Sequence, residues 1–340
     1  GSSCHPAPRI RRADPLRKQR RLRRRTPLKA AGRWGGRGGT GAGGGRTTEP
    51  SAQAPRGEAR SVRELGADEY AGWVDWINPD TGERMGRPRL AGSDRQGSPR
   101  FAEMVINTPK SLSIAAALHP EVSEALDTAQ QGALSEIQRW LAQHSVTRVG
   151  PRGKQEVVPI EHMQVVGITH HTSRAGDPHR HIHMQVGTRV WAAGAWRALD
   201  TAAMFKQQGA IRALGTAVIA AHPHLAQTLA EHGLTLDPVS GEVAELVPFN
   251  GVMSKRSAQI RRNLDRLETE WETAHPGEEP GPVMTARLQG IAWSHQRPGK
   301  KPADLKNEQR WQQELRDAGY HPERLPQREM PAPVLLDDLS

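Results

Sequence analysis

The chain has 340 residues, long enough for a sizeable core in one or two domains, and carries a formal charge of +10 at pH 7. Its single cysteine, Cys4, excludes a disulfide framework or a cysteine-based metal site within one chain. No apolar run reaches the roughly eighteen residues of a membrane span and no charged-then-apolar signal opens the chain, so it reads as cytoplasmic with no membrane partner.

Residues 1–60 hold sixteen of the 47 Lys and Arg against three of the 37 Asp and Glu, a net of +13 that leaves −3 on the other 280 residues. The basic character belongs to this segment alone. Its arginine run at residues 20–25 repels itself, and residues 32–45 are largely glycine, so ordering it would cost more entropy than burial returns. A disordered tail is expected, either a polyphosphate-binding arm or an out-of-frame leader. The missing initiator Met favours a fragment.

The ordered part is expected to begin near Ser61. Residues 62–77 carry Tyr70, Trp73 and Trp76 at helical spacing and predict a helix that packs these aromatics inward, ended by the turn residues 78–82. Residues 100–107 read as a strand with Phe101, Glu103 and Val105 on one face and Ala102, Met104 and Ile106 on the other. Glu103 is thus an acid on a largely apolar strand. Residues 120–144 are helical in pattern, with Ala125, Ala129, Ile137 and Leu141 on or near one stripe, and residues 150–153 form a turn into further strands.

Residues 165–186, VVGITHHTSRAGDPHRHIHMQV, are read as a β-hairpin with Gly176, Asp177 and Pro178 as turn chemistry. His181 and His183, two apart on a strand, share one face. With the turn centred between Ala175 and Gly176, paired residue numbers sum to 351, so His170 lies opposite His181 and Ile168 opposite His183. A slip of one residue brings in His171 instead, and spacing alone leaves both registers open. Three neutral imidazoles would offer nitrogen ligands to a divalent cation and leave positions open for water or a phosphate oxygen. A lone His-x-His also arises by coincidence in a chain with fifteen histidines.

Further on, residues 188–196 predict a strand and turn, and Asp200 a cap for a helix from Thr201. Residues 234–236 and 242–246 flank a turn as a small hairpin. Residues 254–272 read as a helix that starts basic (Lys255, Arg256, Arg261, Arg262) and ends acidic, the reverse of the dipole's preference. That start is an anion site for single-stranded DNA or an ordinary surface helix. Residues 275–282 read as a linker, and residues 303–318 as a last helix with Leu305, Trp311 and Leu315 inward and Gly319 as its stop.

The run His170-x-Thr-Ser-Arg174, then Asp177-Pro178, then His181-x-His183 resembles the signature of conjugative DNA relaxases of the TrwC/TraI type, in the HUH endonuclease group. Asn107-Thr-Pro-Lys-Ser-Leu-Ser113, Trp196-Arg-Ala-Leu199 and Ser254-Lys-Arg256 are similar to further blocks of that family, in its order, over about residues 70–315. The resemblance selects His170 over His171, because the signature's metal histidine stands two residues before Thr-Ser-Arg. It places Glu103 where the family usually has Asp, to orient a ligand histidine or assist proton transfer.

What the resemblance implies is an α+β fold, an antiparallel sheet with packed helices, with a relaxase domain at residues 61–275 and a helical C-terminal extension at 276–340. The implied reaction is a metal-assisted transesterification at a transfer origin: a tyrosine hydroxyl attacks the scissile phosphate of single-stranded DNA, leaving a 5′-phosphotyrosine and a free 3′-OH. His170, His181 and His183 would hold one divalent ion, Mg or Mn, with Zn or Ni as alternatives. Lys110, Arg174, Lys255 and Arg256 are the expected DNA contacts, and other transfer-complex proteins are expected partners. The family's tyrosines lie near the N-terminus, often paired, whereas this sequence offers only Tyr70 and Tyr320. It therefore reads as a fragment without its nucleophile, with a nickase using Tyr70 and a non-catalytic metal-dependent DNA-binding module as the rival readings.

Overall fold

The computed structural model describes residues 63–93, 95–296, 299 and 306–322, so the segment at residues 1–60 lies outside it. In chain order the elements are α1 (Ala67–Val74), β1 (Phe101–Asn107), α2 (Lys110–Leu118), α3 (Pro120–His144), β2 (Val146–Val149), β3 (Glu156–Pro159), β4 (Val165–Thr172) and β5 (Pro178–Gly187). Then come β6 (Arg189–Ala192), β7 (Ala195–Ala198), α4 (Thr201–Phe205), α5 (Gln208–Ala220), α6 (Pro223–Glu231), a 3-10 turn (Ala244–Phe249), α7 (Lys255–Ala274), α8 (Pro282–Ser294) and α9 (Lys306–Asp317).

β1, β5 and β4 form an antiparallel sheet with β5 in the middle, while β2–β3 and β6–β7 pair as separate two-stranded ribbons. Because side chains alternate along a strand, the pairing sorts every residue of the sheet onto one of two faces. Ala102, Met104 and Ile106 share the inner face with Ile182, Met184 and Val186, and all six are buried. Each large apolar side chain there contributes about 1.5–3 kcal/mol through burial.

This face belongs to the main core together with α3, whose buried residues Val122, Ala125, Leu126, Ala129, Ala133, Leu134, Ile137 and Leu141 recur at helical spacing. Pro120 opens that helix where a missing N–H costs nothing. Helix and sheet approach closely at Gly167: a Cβ on that residue would lie 2.6 Å from Leu134 Cδ2.

α1 is shorter than the helix expected over residues 62–77. It ends at Val74, and Trp76 sits in the left-handed region at φ +64°. The ending is a closed one, with Trp76 N–H donating to Trp73 O at 3.0 Å and Ile77 N–H to Gly72 O at 2.9 Å, the pattern that glycine usually serves. Burial of the ring, with the Arg100 and Arg189 guanidinium groups 5.7 and 5.1 Å from its centre, holds a tryptophan there. Trp73, Val74, Trp76 and Met85 form a second, smaller core packed with Tyr70, Phe101 and Val166.

The small hairpin expected over residues 234–246 reduces to a single bridge, Leu236 to Val243, because the chain turns into the 3-10 segment, where Pro248 has no N–H for a ladder. Asp200 caps α4 as expected, its Oδ1 accepting from Ala203 N–H at 3.0 Å. In α9, Trp311 and Leu315 are buried in the main core, and Gly319 at φ +93° closes the helix; Leu305 lies outside the described residues.

Candidate metal centre

The hairpin pairs Val165 with Val186 and continues in register to His170 opposite His181, so paired numbers sum to 351. Its outer face gathers Glu103, Val105 and Asn107 of β1, Gln185, His183 and His181 of β5, and Val166, Ile168 and His170 of β4. The three imidazoles meet at one end of this face, with ring centres 4.9 to 5.2 Å apart and mutually edge-on. One ligating atom from each lies within 4.8 Å of the others, which suits a single divalent ion. Between His170 and Thr172 the register shifts, and the bulge sends His171 away: its Nε2 lies 3.3 Å from Asp127 Oδ1 of α3.

Two of the three rings are oriented from behind. His181 Nδ1 lies 3.0 Å from His179 O; a carbonyl can only accept, so Nδ1 carries the proton and Nε2 is left to ligate. His183 Nδ1 lies 3.2 Å from Glu103 Oε1, a close electrostatic contact without the alignment of a hydrogen bond, and the carboxylate's charge favours the same tautomer. Glu103 is in turn met by its cross-strand neighbour Gln185, whose Nε2 donates to Glu103 Oε2 at 3.2 Å. Gln185 did not stand out in the sequence, although its spacing of two from His183 puts it on the same face. His179 stacks on His181 at 4.5 Å, and burial, then the neighbouring His181 and Lys110, lowers its pKa to about 3, so it is neutral at pH 7.

The Pro-Lys-Ser block acts as a brace between α2 and β5. Lys110 Nζ donates to Pro178 O at 2.6 Å, and burial lowers its pKa to about 8. Ser113 Oγ accepts from Arg180 N–H at 3.0 Å, and Ser111 Oγ from Val243 N–H at 2.7 Å. Lys255, at the start of α7, reaches Glu314 Oε2 at 2.6 Å and the buried Asp177 at 3.5 Å. Arg256 donates to Gln259 Oε1 at 2.8 Å and to Trp293 O at 2.6 Å, and Arg174 is half-buried in the hairpin turn. α9 closes over that turn, with Arg310 and Trp311 both donating to Gly176 O.

Neither tyrosine belongs to the triad. Tyr70 stacks on Trp73 and its hydroxyl donates to Gln185 Oε1 at 2.8 Å, so Gln185 and Glu103 both stand between it and His183. Tyr320 is buried, its ring edge-on to Phe249 at 5.4 Å. Among the described residues, no helix is long and apolar enough to cross a membrane.

The profile of the TrwC relaxase family matches residues 27–318. Among solved structures, the fold is similar to that of the conjugative relaxase TrwC in complex with oriT DNA, copper-bound, with a TM-score of 0.58 and 22% identity over 76% of this chain and 84% of that one. It is likewise similar to TrwC complexed with a 27-mer DNA comprising the recognition hairpin and the cleavage site, with a TM-score of 0.59 and 21% identity over 76% of this chain and 88% of that one. No curated protein sequence matches this chain.

Proposed function

Because the chain belongs to the TrwC relaxase family, whose members nick DNA, we propose that it is the DNA-handling unit of a conjugative transfer protein, acting in the cytoplasm on single-stranded DNA at a transfer origin. The observation that carries this reading is the convergence of His170, His181 and His183 at one end of the outer sheet face. TrwC has been solved with oriT DNA in copper-bound and metal-bound forms, which supports the same use of the site here.

Held by the three imidazoles, a divalent cation would polarise a scissile phosphate and neutralise charge that builds up on it. Phosphate and water favour Mg or Mn at such a centre, although nitrogen ligands also accept Zn or Ni. Glu103 keeps the His183 ring turned so that one nitrogen is free for ligation. Arg174, Lys110, Lys255 and Arg256 are the proposed cations around the hairpin turn and the start of α7. For Lys255 to meet a phosphate it must exchange Glu314 for it, which makes its contribution sensitive to salt.

The second reading is a metal-dependent DNA-binding module without nicking activity, and the placement of the two tyrosines favours it for this chain. Attack requires a hydroxyl within about 3–3.5 Å of the phosphorus, whereas Tyr70 is engaged by Gln185 and Tyr320 is enclosed by the core. The proposal is therefore that this chain binds origin DNA and forms no covalent adduct with it.

The test incubates the protein and Mn2+ with labelled single-stranded oligonucleotides tiled across candidate origin DNA. Binding that weakens steeply with salt, with no protein-linked band on a denaturing gel, is expected. A linked band that vanishes in Tyr70→Phe would establish a working nickase instead, and a lack of binding to every oligonucleotide would contradict the relaxase reading.

A further inference from the structure

The outer face of the sheet has two ends, and the proposed metal site uses only one. At the other end, α1 lies against the strands and Tyr70 reaches Gln185, so an unbroken series of polar contacts runs from the helix to the histidines. Tyr70 Oη donates to Gln185 Oε1 at 2.8 Å, Gln185 Nε2 donates to Glu103 Oε2 at 3.2 Å, and Glu103 Oε1 lies 3.2 Å from His183 Nδ1.

Donor and acceptor roles allow one arrangement of this series. An ionised carboxylate only accepts, so the amide must turn its NH2 toward Glu103 and its oxygen toward Tyr70, which then must donate. The first two links are hydrogen bonds that fix their members, and the last is a close electrostatic contact between Glu103 and His183. Burial raises the Tyr70 pKa against the opposing effect of the Gln185 hydrogen bond, with a smaller contribution from the negative charge of Glu103, so the hydroxyl is protonated as that donor.

The start of the series is rigid and its end is not. Tyr70 stacks on Trp73 with ring centres 6.0 Å apart; Trp73 stacks on Phe101 at 6.0 Å and is nearly fully buried. Gly187 leaves room for it, since a Cβ there would lie 3.4 Å from the Trp73 ring. Glu103, by contrast, has a side chain about one-third exposed and three rotatable bonds, and left to itself it would sample several rotamers. Gln185 is buried between the two, directly across the ladder from Glu103.

We propose that Tyr70 and Gln185 are positioning residues: anchored by the aromatic cluster, they hold the Glu103 carboxylate in the rotamer that orients His183 for metal binding. The inference rests on the reading of the histidine triad as a metal site and gives Tyr70 a role other than nucleophile. It makes α1 a support for the site, transmitting the order of the small core to the ligand set through three side chains.

The experiment is a double-mutant cycle on Mn2+ affinity, measured by calorimetric titration of the full chain without DNA. Tyr70→Phe keeps the ring and its stacking and removes only the hydroxyl, and Gln185→Met keeps the length and apolar packing of residue 185. Losing a partner that orients a ligand from behind typically weakens metal affinity 10- to 100-fold, so Tyr70→Phe, two contacts further out, is expected to weaken it by about 3- to 10-fold. Gln185→Met should weaken it at least as much, and the double variant no more than Gln185→Met alone, because Tyr70 acts only through Gln185.

Unchanged affinity in Tyr70→Phe overturns the proposal. So does a double variant whose loss is the product of the two single losses, since Tyr70 would then act by another route. Wild-type protein that binds no Mn2+ defeats the metal-site reading itself, and the inference falls with it; that result is distinct from normal binding unaffected by the substitutions.

Discussion

The two faces of the three-stranded sheet are made by the same residues in alternation, yet one is a core and the other a site. On the inner face Met104, Ile182 and Met184 are sealed against α3, and even a methyl group at Gly167 would collide with Leu134. On the outer face the same strands present His170, His181, His183, Glu103 and Gln185. A register slip of one residue would exchange the faces, bringing histidines into the core and methionine to the site. The apolar parity of the inner face therefore determines where the three histidines stand.

That comparison predicts a separation of effects. Met184→Ala should have the largest influence on stability, about 2–5 kcal/mol from lost burial and a cavity, read from the denaturant midpoint, while metal affinity of the remaining folded protein stays close to wild type. Gly167→Ala should cost about 1–3 kcal/mol by forcing the buried Leu134 side chain to repack, with the same preservation of affinity. His183→Ala should do the opposite: stability should fall by only about 1 kcal/mol, less than in Met184→Ala because the ring is not part of the core, and metal binding should be lost. A His183 variant that unfolds, or a Met184 variant that remains stable but binds no metal, would break the separation.

The smallest effect lies away from both faces. His119, which precedes α3, stacks on His232 with ring centres 3.9 Å apart, and burial followed by the His232 charge lowers its pKa to about 4. Above pH 6.5 the ring is neutral in both folded and unfolded chains, so it imposes no pH dependence. Between pH 6.5 and 4 the unfolded chain binds a proton that the folded chain refuses, so stability should decline as pH falls through that window. His119→Gln should flatten that decline in a thermal melt; an identical slope would assign it to other groups.

Much of the site could be read in the sequence because it is local. Counting across an assumed turn centre brings His181 and His183 opposite one neighbouring histidine, the family resemblance chooses His170 over His171, and β1 shows its two faces by simple alternation. Trp76 was harder, because its helical spacing continues past the point where the backbone turns left-handed and only burial of the ring reveals the end of α1. Contacts that join distant segments left no trace in the pattern. The pairing of Lys255 with Glu314, the closing of Trp311 over Gly176 and the reach of Tyr70 to Gln185 all depend on the assembled core. For this reason the cations at the start of α7 looked available in the sequence, while two of them are engaged within the protein.

The register of β4 against β5 sets which three histidines form the candidate metal site on the outer face. Titrating Mn2+ into the purified chain tests it most directly. One site per chain is predicted, lost in His170→Ala, His181→Ala and His183→Ala and retained in His171→Ala, whose ring is turned toward Asp127. Loss of binding in His171→Ala with retention in His170→Ala would contradict the register, and with it the account of how the two faces are assigned.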